Sequence, residues 1–369
     1  MALGLPQKGE YALDIGGSSV VVLGVVGKPG NLKLKVCYDW AVPPGLVVDG
    51  EIIEPDAFAD ELKVLVNRHK LRGKAVRLAV SNQKVIVRNI AMPDLAEDEL
   101  LSAIQLQAQE YIPIPIDEAV LDSQVLGRRP AADGTTYQEV LLVAAQRTMI
   151  MNLLSAVRRA GLKVLGIDVS SLAMVRALIP DSPFVPDSEA ASEYIGLVDV
   201  SSSVTTLAVA VDGLMKFTRV INFSSDRFAR FLSEGNNIPL GDAEMLVQRV
   251  GLAGPLAPDR DAYRDEIVDQ SWRGLGGIAV ELGDEIKRSL DYFEAQGRYN
   301  AVSRLILSGK GALARNLDSY LAERLGVPVT LANPLTHIID NSSEVPDAIL
   351  ASVAPCLVVA MGLVLPERD

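Results

Sequence analysis

Two short turns that combine an aspartate with Gly or Ser recur in this sequence, one near its start and one just past its middle. The first is Asp14-Ile15-Gly16-Gly17-Ser18-Ser19 and the second is Asp199-Val200-Ser201-Ser202-Ser203. Each turn follows a β-branched apolar segment and leads into another. This strand–turn–strand repeat, which begins at Tyr11 and again at Tyr194, predicts two related lobes that face one another.

The length and the order of the patterns divide the chain further. At 369 residues it exceeds what one hydrophobic core usually supports. Strand and helix patterns predict an α/β fold of two lobes, with a compact α+β domain inserted into the first. The predicted divisions are 1–84 (first part of the first lobe), 85–166 (inserted domain), 167–192 (return helix and linker), 193–348 (second lobe) and 349–369 (a C-terminal helix that packs back on the first lobe).

Composition and charge exclude several classes of protein. The formal net charge is −12, and without stretches rich in Lys and Arg the chain lacks the basic surface that nucleic-acid binding requires. Two cysteines and two histidines are too few for a disulfide framework or a zinc site, and they fit a reducing compartment. No signal peptide is expected. The uncharged segment 349–365 is as long as a short membrane span, but its Ser, Pro and Gly residues favour a buried helix.

The two turns have the composition of phosphate-binding turns. Small residues leave successive backbone N–H groups open to phosphate oxygens, and hydroxyls add further donors. The candidate ligands are Gly16, Gly17, Ser18 and Ser19 in the first turn, and Ser201, Ser202, Ser203 and Thr205 in the second. Asp14 and Asp199 are candidates to hold hydrated magnesium and to act in catalysis. Either turn alone could be a plain hairpin; as a pair in facing lobes they predict a nucleotide cleft.

Two weaker motifs extend this prediction toward the nucleoside. Gly309-Lys310-Gly311 follows a predicted strand, and small residues there would let a base or ribose approach the backbone. The simpler interpretation is a tight turn. Glu285 and Arg288 lie three positions apart on a predicted long helix and therefore share one face. They could bracket an adenosine, although a surface ion pair is the default interpretation.

The order of these motifs resembles the actin-like ATPase superfamily, whose two-lobe fold is ribonuclease H-like. Within that superfamily the chain resembles the PilM family of type IV pilus assembly proteins over nearly its whole length. The resemblance is most specific at 11–16 (YALDIG), 43–50 (PPGLVVDG) and 110–118 (EYIPIPIDE). The last segment lies in the inserted domain, which resembles the extra domain that PilM shares with the cell-division protein FtsA.

The resemblance implies ligands and partners that the residues alone do not. It implies ATP and magnesium in the cleft, and a groove between the first lobe and the inserted domain that holds the cytoplasmic N-terminal peptide of PilN, an inner-membrane protein. The groove residues that it suggests are Val85, Val87, Tyr111 and Ile112. It also implies a cytoplasmic scaffold that reaches the inner membrane only through partners and that contacts other pilus platform proteins and assembly ATPases. Self-association is left open.

Three departures from the family pattern bear on catalysis. Val21 stands where a Lys often follows the first turn, and Ser201 stands where a Gly is usual. Lys310 interrupts a turn that is often Gly-Gly-Gly. Because a phosphate-binding cation is lost at Val21, we expect ATP binding to survive better than hydrolysis, with slow turnover at most.

Two alternative functions use the same fold. A small-molecule kinase would need a carboxylate aimed at a substrate hydroxyl, and Asp168 is the candidate. A filament-forming relative of FtsA would carry a basic amphipathic membrane helix, which the C-terminal segment is not expected to form.

Overall fold

The computed structural model describes residues 10–130, 135–180, 193–256, 258, 265–296 and 300–366. Most of the predicted linker, at 181–192, lies outside these residues. The same is true of a predicted turn at 132–134 and of most of a predicted loop at 254–264.

The strands and helices alternate along the chain in an α/β order. The strands are β1 (Glu10–Ile15), β2 (Ser19–Lys28), β3 (Asn31–Ala41), β4 (Val47–Val48), β5 (Glu51–Ile52), β6 (Ala75–Val80), β7 (Val85–Pro93), β8 (Ala119–Pro130), β9 (Thr136–Gln146), β10 (Lys163–Val169), β11 (Ile195–Val200), β12 (Thr205–Val211), β13 (Leu214–Ile221), β14 (Arg304–Ser308), β15 (Val329–Leu331) and β16 (Ile338–Asn341). The helices are α1 (Pro55–Arg68), α2 (Glu97–Tyr111), α3 (Arg147–Arg159), α4 (Ser170–Leu178), α5 (Asp226–Asn236), α6 (Leu240–Arg249), α7 (Asp265–Ala295), α8 (Leu317–Leu325), α9 (Asp347–Val353) and α10 (Val358–Val364).

The first lobe is built on a six-stranded mixed sheet in the order β10-β6-β1-β2-β3-β16. β1, β2 and β3 form an antiparallel meander, whereas β6, β10 and β16 join in parallel. The β-branched sequence of β2, SVVVLGVVGK, is buried over most of its length, as a central strand covered on both faces should be. Apolar faces of α1, α3, α4 and α10 complete this core.

The second lobe repeats the meander. Its five-stranded sheet has the order β13-β12-β11-β14-β15, and every residue of β11 and β12 is buried. Helices α5 to α8 pack into its own hydrophobic core. Helix α7 is longer than the predicted 278–296, because the apolar face continues upstream through the buried residues Val268 and Leu275.

The inserted domain is a three-stranded antiparallel sheet, β7-β9-β8, with α2 and a small core of its own. Two elements assigned to it from sequence belong to the first lobe instead. Leu153 and Val157 of α3 lie in the first-lobe core, and β10 pairs with β6. The inserted sheet therefore ends at Gln146, earlier than the predicted boundary at 166. In the same way β16 pairs with β3, so the chain returns to the first sheet before the predicted boundary at 348.

The apolar C-terminal segment packs into the core of the first lobe. By length and composition Asp347–Val364 could cross a membrane, and 61% of it is buried inside the protein. A 3₁₀ turn, Ala354–Leu357, separates α9 from α10, and every residue of α10 is buried. Gly362 allows α10 to approach α4 closely, because a Cβ there would lie 2.8 Å from the Cα of Ala173.

Candidate nucleotide-binding cleft

The structure brings the two repeated turns into direct contact across the cleft between the lobes. The amide of Ser18 donates to Ser202 Oγ (3.3 Å), and Ser18 Oγ donates to Asp226 Oδ1 (3.0 Å). Elsewhere in the cleft, the hydroxyl oxygens of Ser81 in the first lobe and Thr206 in the second lie 2.6 Å apart. The turns that the sequence repeat singled out therefore lie at one site.

Glycine is required in the first turn because the opposing turn packs against its backbone. A Cβ on Gly17 would lie 2.7 Å from the carbonyl oxygen of Ser202. Gly309 is constrained twice, since its φ is +80° and a Cβ there would lie 2.6 Å from Val200 O. Only glycine adopts this conformation freely. A side chain at either position would push apart the backbones that form the cleft.

The second turn is held together by its own serine. Ser201 Oγ donates to Val204 O (2.8 Å) and accepts the amide N–H groups of Ser203 (3.1 Å) and Val204 (3.2 Å). Ser203 Oγ is buried and has no hydrogen-bond partner among the described residues. A buried polar group without a partner destabilises a protein by about 1–3 kcal/mol. A ligand rich in acceptor oxygens, such as a phosphate, fits this position.

Three aspartates concentrate negative charge in the cleft. In the first sheet, Asp14 is the cross-strand partner of Val21, and Val21 is the partner of Asp39. The side chains of Asp14, Val21 and Asp39 therefore lie on one face of that sheet. Burial, with repulsion from Asp199 and Asp39, raises the pKa of Asp14 to about 7. Burial raises the pKa of Asp199 to about 6, although Ser308 Oγ donates to its carboxylate at 2.8 Å. A divalent cation would offset both effects, so the carboxylates fit a magnesium-bearing ligand.

Lys310 supplies a positive charge in the cleft. Its Nζ lies 2.8 Å from Glu244 Oε1 and 3.8 Å from Asp226 Oδ1, and it donates to Ser18 Oγ at 3.2 Å. Burial alone would lower the pKa of Lys310, but the two carboxylates outweigh it and raise the pKa. The ammonium group therefore stays charged and links the second lobe to the first turn. It is the candidate replacement for the cation missing at Val21, which also lines the cleft.

Helix α6, rather than α7, lines the cleft. Glu244 and Gln248, one helical turn apart, both face the cavity. Glu285 and Arg288, the pair predicted from sequence, bind each other on α7, and neither lines the cavity. A signal for α6 was present, because an acidic residue and an amide four positions apart on a predicted helix share one face.

Four other predicted residues support the cleft without lining its cavity: Gly17 and Ser18 of the first turn, described above, and Thr205 and Gly311. The Thr205 hydroxyl donates to Phe223 O at 2.8 Å, and the neighbouring Thr206 lines the cavity instead. Gly311 lies against Val200, since a Cβ there would be 2.7 Å from the Val200 Cβ. Thr205 and Gly311 therefore shape the surrounding backbone.

The cleft holds a cavity of about 390 Å³, a size typical of small-molecule sites. The predicted residues that line it are Asp14, Gly16, Ser19, Asp199, Ser201, Ser202, Ser203, Gly309 and Lys310. Both free cysteines, Cys37 and Cys356, line it as well. Within the described residues, no group of three or more His, Cys, Asp or Glu side chains could hold a metal ion. Magnesium would therefore keep several waters and be held partly through the phosphates of its ligand, as it prefers.

A second cavity, of about 340 Å³, lies where the three parts of the molecule meet, and we call it the groove. It is bounded by β8 of the inserted domain, by β10 and α4 of the first lobe, and by Gly213, Leu214 and Met215 of the second lobe. At this junction Asn89 Nδ2 donates to Met215 O at 3.0 Å. Asp168, the candidate kinase carboxylate, lies in the groove and pairs with Arg176.

The four groove residues predicted from sequence have different positions. Val85 lines the groove. Val87 and Ile112 are only 7% and 3% exposed, in the hydrophobic cores of the first lobe and the inserted domain. Tyr111 packs against the core of the inserted domain. Three of the four therefore contribute to packing and do not line the groove.

The two lobes, each with a strand meander and a phosphate-type turn at the shared cleft, define an actin-like ATPase fold. EutJ from Carboxydothermus hydrogenoformans matches 98% of this chain and 92% of its own, with a TM-score of 0.54 at 13% identity. MreB5 of Spiroplasma citri, solved with ADP, matches 97% of this chain and 95% of its own, with a TM-score of 0.53 at 15% identity. These identities show the fold alone.

The chain belongs to the family of the type IV pilus assembly protein PilM, whose model matches residues 12–368. The solved PilM–PilN type IV pilus biogenesis complex is similar over 97% of this chain and 98% of that chain, with a TM-score of 0.78 and 28% identity. The family predicted from the sequence is confirmed.

The cell-division protein FtsA is a more distant relative. The chain is 22% identical over 269 residues to FtsA of Bacillus subtilis, and 25% identical over 281 residues to FtsA of Streptococcus pneumoniae. It spans 58% and 59% of the length of these two proteins. The matches therefore cover less than two thirds of either FtsA.

Proposed function

We propose that the chain is an ATP-binding adaptor of the type IV pilus inner-membrane assembly platform. The observation that carries this proposal is the cavity between the repeated turns. In it, carboxylates at Asp14 and Asp199, a charged ammonium at Lys310 and the Ser203 hydroxyl, which has no partner among the described residues, meet. Phosphate oxygens would accept from the hydroxyl and the ammonium, and a hydrated magnesium ion would neutralise the carboxylates.

Calorimetry with ATP and magnesium tests the nucleotide assignment. Asp14→Ala and Asp199→Ala should each weaken binding by about tenfold or more, because each removes a charged ligand of the hydrated cation. Asp168→Asn is the matched control, since Asp168 lies in the groove and Asn retains a hydrogen-bond acceptor for Arg176. Wild-type affinity in both alanine variants would reject the cleft as the nucleotide site.

The cleft supports binding better than turnover. The position beside Asp14 that would carry a phosphate-binding lysine is Val21, and the cation present, Lys310, is already engaged by Glu244 and Asp226. Asp168 lies in the groove, away from the cleft, so it would not activate a substrate hydroxyl there. We therefore propose a scaffold with slow hydrolysis at most rather than a kinase.

The groove is the proposed site for the cytoplasmic N-terminal peptide of a PilN-type partner. It is flanked by two edge strands, because β8 ends the inserted sheet and β10 ends the first-lobe sheet. An extended peptide can pair its backbone with such an edge and place alternate side chains in apolar pockets. Val120 and Val125 of β8 line the groove and are 38% and 41% exposed, so they are available for contact.

Peptide binding, measured by fluorescence anisotropy with a labelled N-terminal PilN peptide, tests this assignment. Val120→Asp and Val125→Asp should each weaken binding by about tenfold, since they place a charge against apolar peptide side chains. Leu106→Asp is the matched control, because Leu106 belongs to the same domain, is 84% exposed and lies outside the groove. Both groove variants should leave ATP affinity unchanged. Equal loss in the control, or none in the groove variants, would place the peptide elsewhere.

The proposed location follows from the proposed partner. A PilN-type protein in the inner membrane would hold this chain at the cytoplasmic membrane surface through the groove. Contacts with other platform proteins, with assembly ATPases and with further copies of the chain are part of the same proposal. Pelleting the protein with ATP separates an adaptor, which stays in the supernatant, from an FtsA-like filament.

A further inference from the structure

A third cavity, of about 190 Å³, lies between the lobes next to the cleft, and we call it the rear cavity. Ser81 and Thr206 line both the cleft and the rear cavity. Their hydroxyls form the 2.6 Å hydrogen bond described above, so this pair stands where the two spaces meet. The other walls come from β7 of the inserted domain, from β13 of the second lobe, and from Val169 and Ser171 at the junction of β10 and α4.

The rear cavity carries an excess of positive charge. Arg88 on β7 and Arg219 on β13 line it, and none of the described residues around it is a carboxylate. Arg88 donates to Val87 O at 3.3 Å, and no ion pair joins either arginine to any residue in the described part of the chain. The chain as a whole has a net charge of −12. Two arginines without acidic partners at one cavity form a local positive field that attracts an anion.

A buried hydroxyl adds a further unused donor. Ser171 on α4 lines the rear cavity and is completely buried. Its Oγ has no hydrogen-bond partner among the residues that the structure describes. Because a hydroxyl can donate one hydrogen bond and a guanidinium several, an oxyanion would satisfy these groups together.

We propose that the rear cavity is an oxyanion site that binds inorganic phosphate through Arg88, Arg219 and Ser171. Guanidinium groups match the geometry of phosphate, with two parallel N–H···O bonds from one side chain. The cavity has about half the volume of the cleft, 190 against 390 Å³, which suits a phosphate ion better than a nucleotide. This site does not depend on the nucleotide function proposed above, since different side chains form it.

Binding of inorganic phosphate at constant ionic strength, measured by calorimetry with chloride as the reference anion, tests the site. One arm uses the nucleotide-free chain, and the other uses the chain loaded with magnesium and a non-hydrolysable ATP analogue. We expect one phosphate per chain in both arms. Arg88→Gln and Arg219→Gln should each weaken phosphate binding by about tenfold, the loss expected for one charge-assisted contact.

Two further variants keep the test decisive. Arg128→Gln is the matched control, since Arg128 pairs with Asp94 on the surface of the inserted domain, and it should bind phosphate like the wild type. Arg219→Lys preserves the charge but not the paired geometry, and it should weaken binding by about threefold even if a Gln variant fails to fold. Absence of phosphate binding, displacement of phosphate by the nucleotide analogue, or wild-type binding in the Arg88 and Arg219 variants would overturn the proposal.

Discussion

The two repeated turns occupy equivalent places in their lobes but keep their shapes in different ways. The first depends on the absence of a side chain at Gly17, against which Ser202 of the other lobe packs. The second depends on the Ser201 hydroxyl, which binds the amides of its own turn. The repeat therefore preserves where a phosphate would bind, while the local chemistry has diverged. The shape of the first turn should therefore depend on how closely the two lobes approach. The shape of the second should depend on its internal hydrogen bonds.

The largest expected effect comes from filling the first turn. Gly17→Val should weaken binding of ATP with magnesium by about 30-fold, because overpacking of a tight contact costs about 1–3 kcal/mol. Calorimetry measures the affinity, and thermal unfolding checks that the variant folds. Gly241→Ala is the control, since a Cβ at this position of α6 meets no atom within 4 Å. An unaffected Gly17 variant would mean that the turns separate to admit the ligand.

The cation in the cleft gives the next largest effect. Lys310→Met should weaken ATP binding by about 20-fold, because it removes a charged donor and leaves Glu244 and Asp226 facing the phosphates. Val21→Lys in the same background should recover part of the affinity, since position 21 lies between Asp14 and Asp39 and lines the cavity. Unchanged ATP affinity in Lys310→Met would show that Lys310 pairs with Glu244 and Asp226 but does not contact the phosphates.

Protonation of Asp14 should make ATP binding depend on pH. Its pKa of about 7 means that the nucleotide-free protein holds a proton at pH 6, which must leave before a cation binds. Affinity for ATP with magnesium should therefore fall by about tenfold between pH 8 and pH 6, with proton release visible by calorimetry in two buffers. Asp14→Asn should reduce this dependence to the part that protonation of Asp199, with its pKa of about 6, leaves. A binding constant that does not change with pH would show that Asp14 is not near the cation.

The same pKa sets the sign of a stability effect. An unfolded aspartate has a pKa near 3.8, whereas the pKa of Asp14 in the folded protein is about 7. Between these values the folded state binds the extra proton, so raising the pH from about 4 to 7 should lower the stability of the nucleotide-free protein. Adding ATP and magnesium should offset this loss, as thermal unfolding across the pH range would show.

The smallest expected effect belongs to the second turn. Ser201→Gly removes three hydrogen bonds within the turn but frees the amides of Ser203 and Val204 for phosphate. We expect the midpoint of thermal unfolding to fall by about 2 °C, corresponding to roughly 1 kcal/mol, while ATP affinity stays within about threefold. Loss of binding comparable to that of the Gly17 variant would show that the two turns do not differ as described.

Local patterns predicted the features that depend on local sequence. The meanders, the two turns at Asp14 and Asp199 and the inserted sheet follow from alternation, turn residues and repetition. Which helix faces the cleft does not, because α6 and α7 both carry acidic residues on amphipathic faces and tertiary packing decides between them. Asp39 enters the site only through the register of β1, β2 and β3. Sequence alone does not reveal that Val87 and Ile112 belong to hydrophobic cores, because apolar residues look alike in sequence whether they line a cavity or fill a core.

A crystal structure with ATP and magnesium would show whether one nucleotide binds between the two turns. We expect phosphates between 16–19 and 201–203, with the nucleoside beside Gly309 and toward Glu244 and Gln248 of α6. A nucleotide bound at Glu285 and Arg288 on α7, or a cleft that stays empty at saturating ATP, would contradict it.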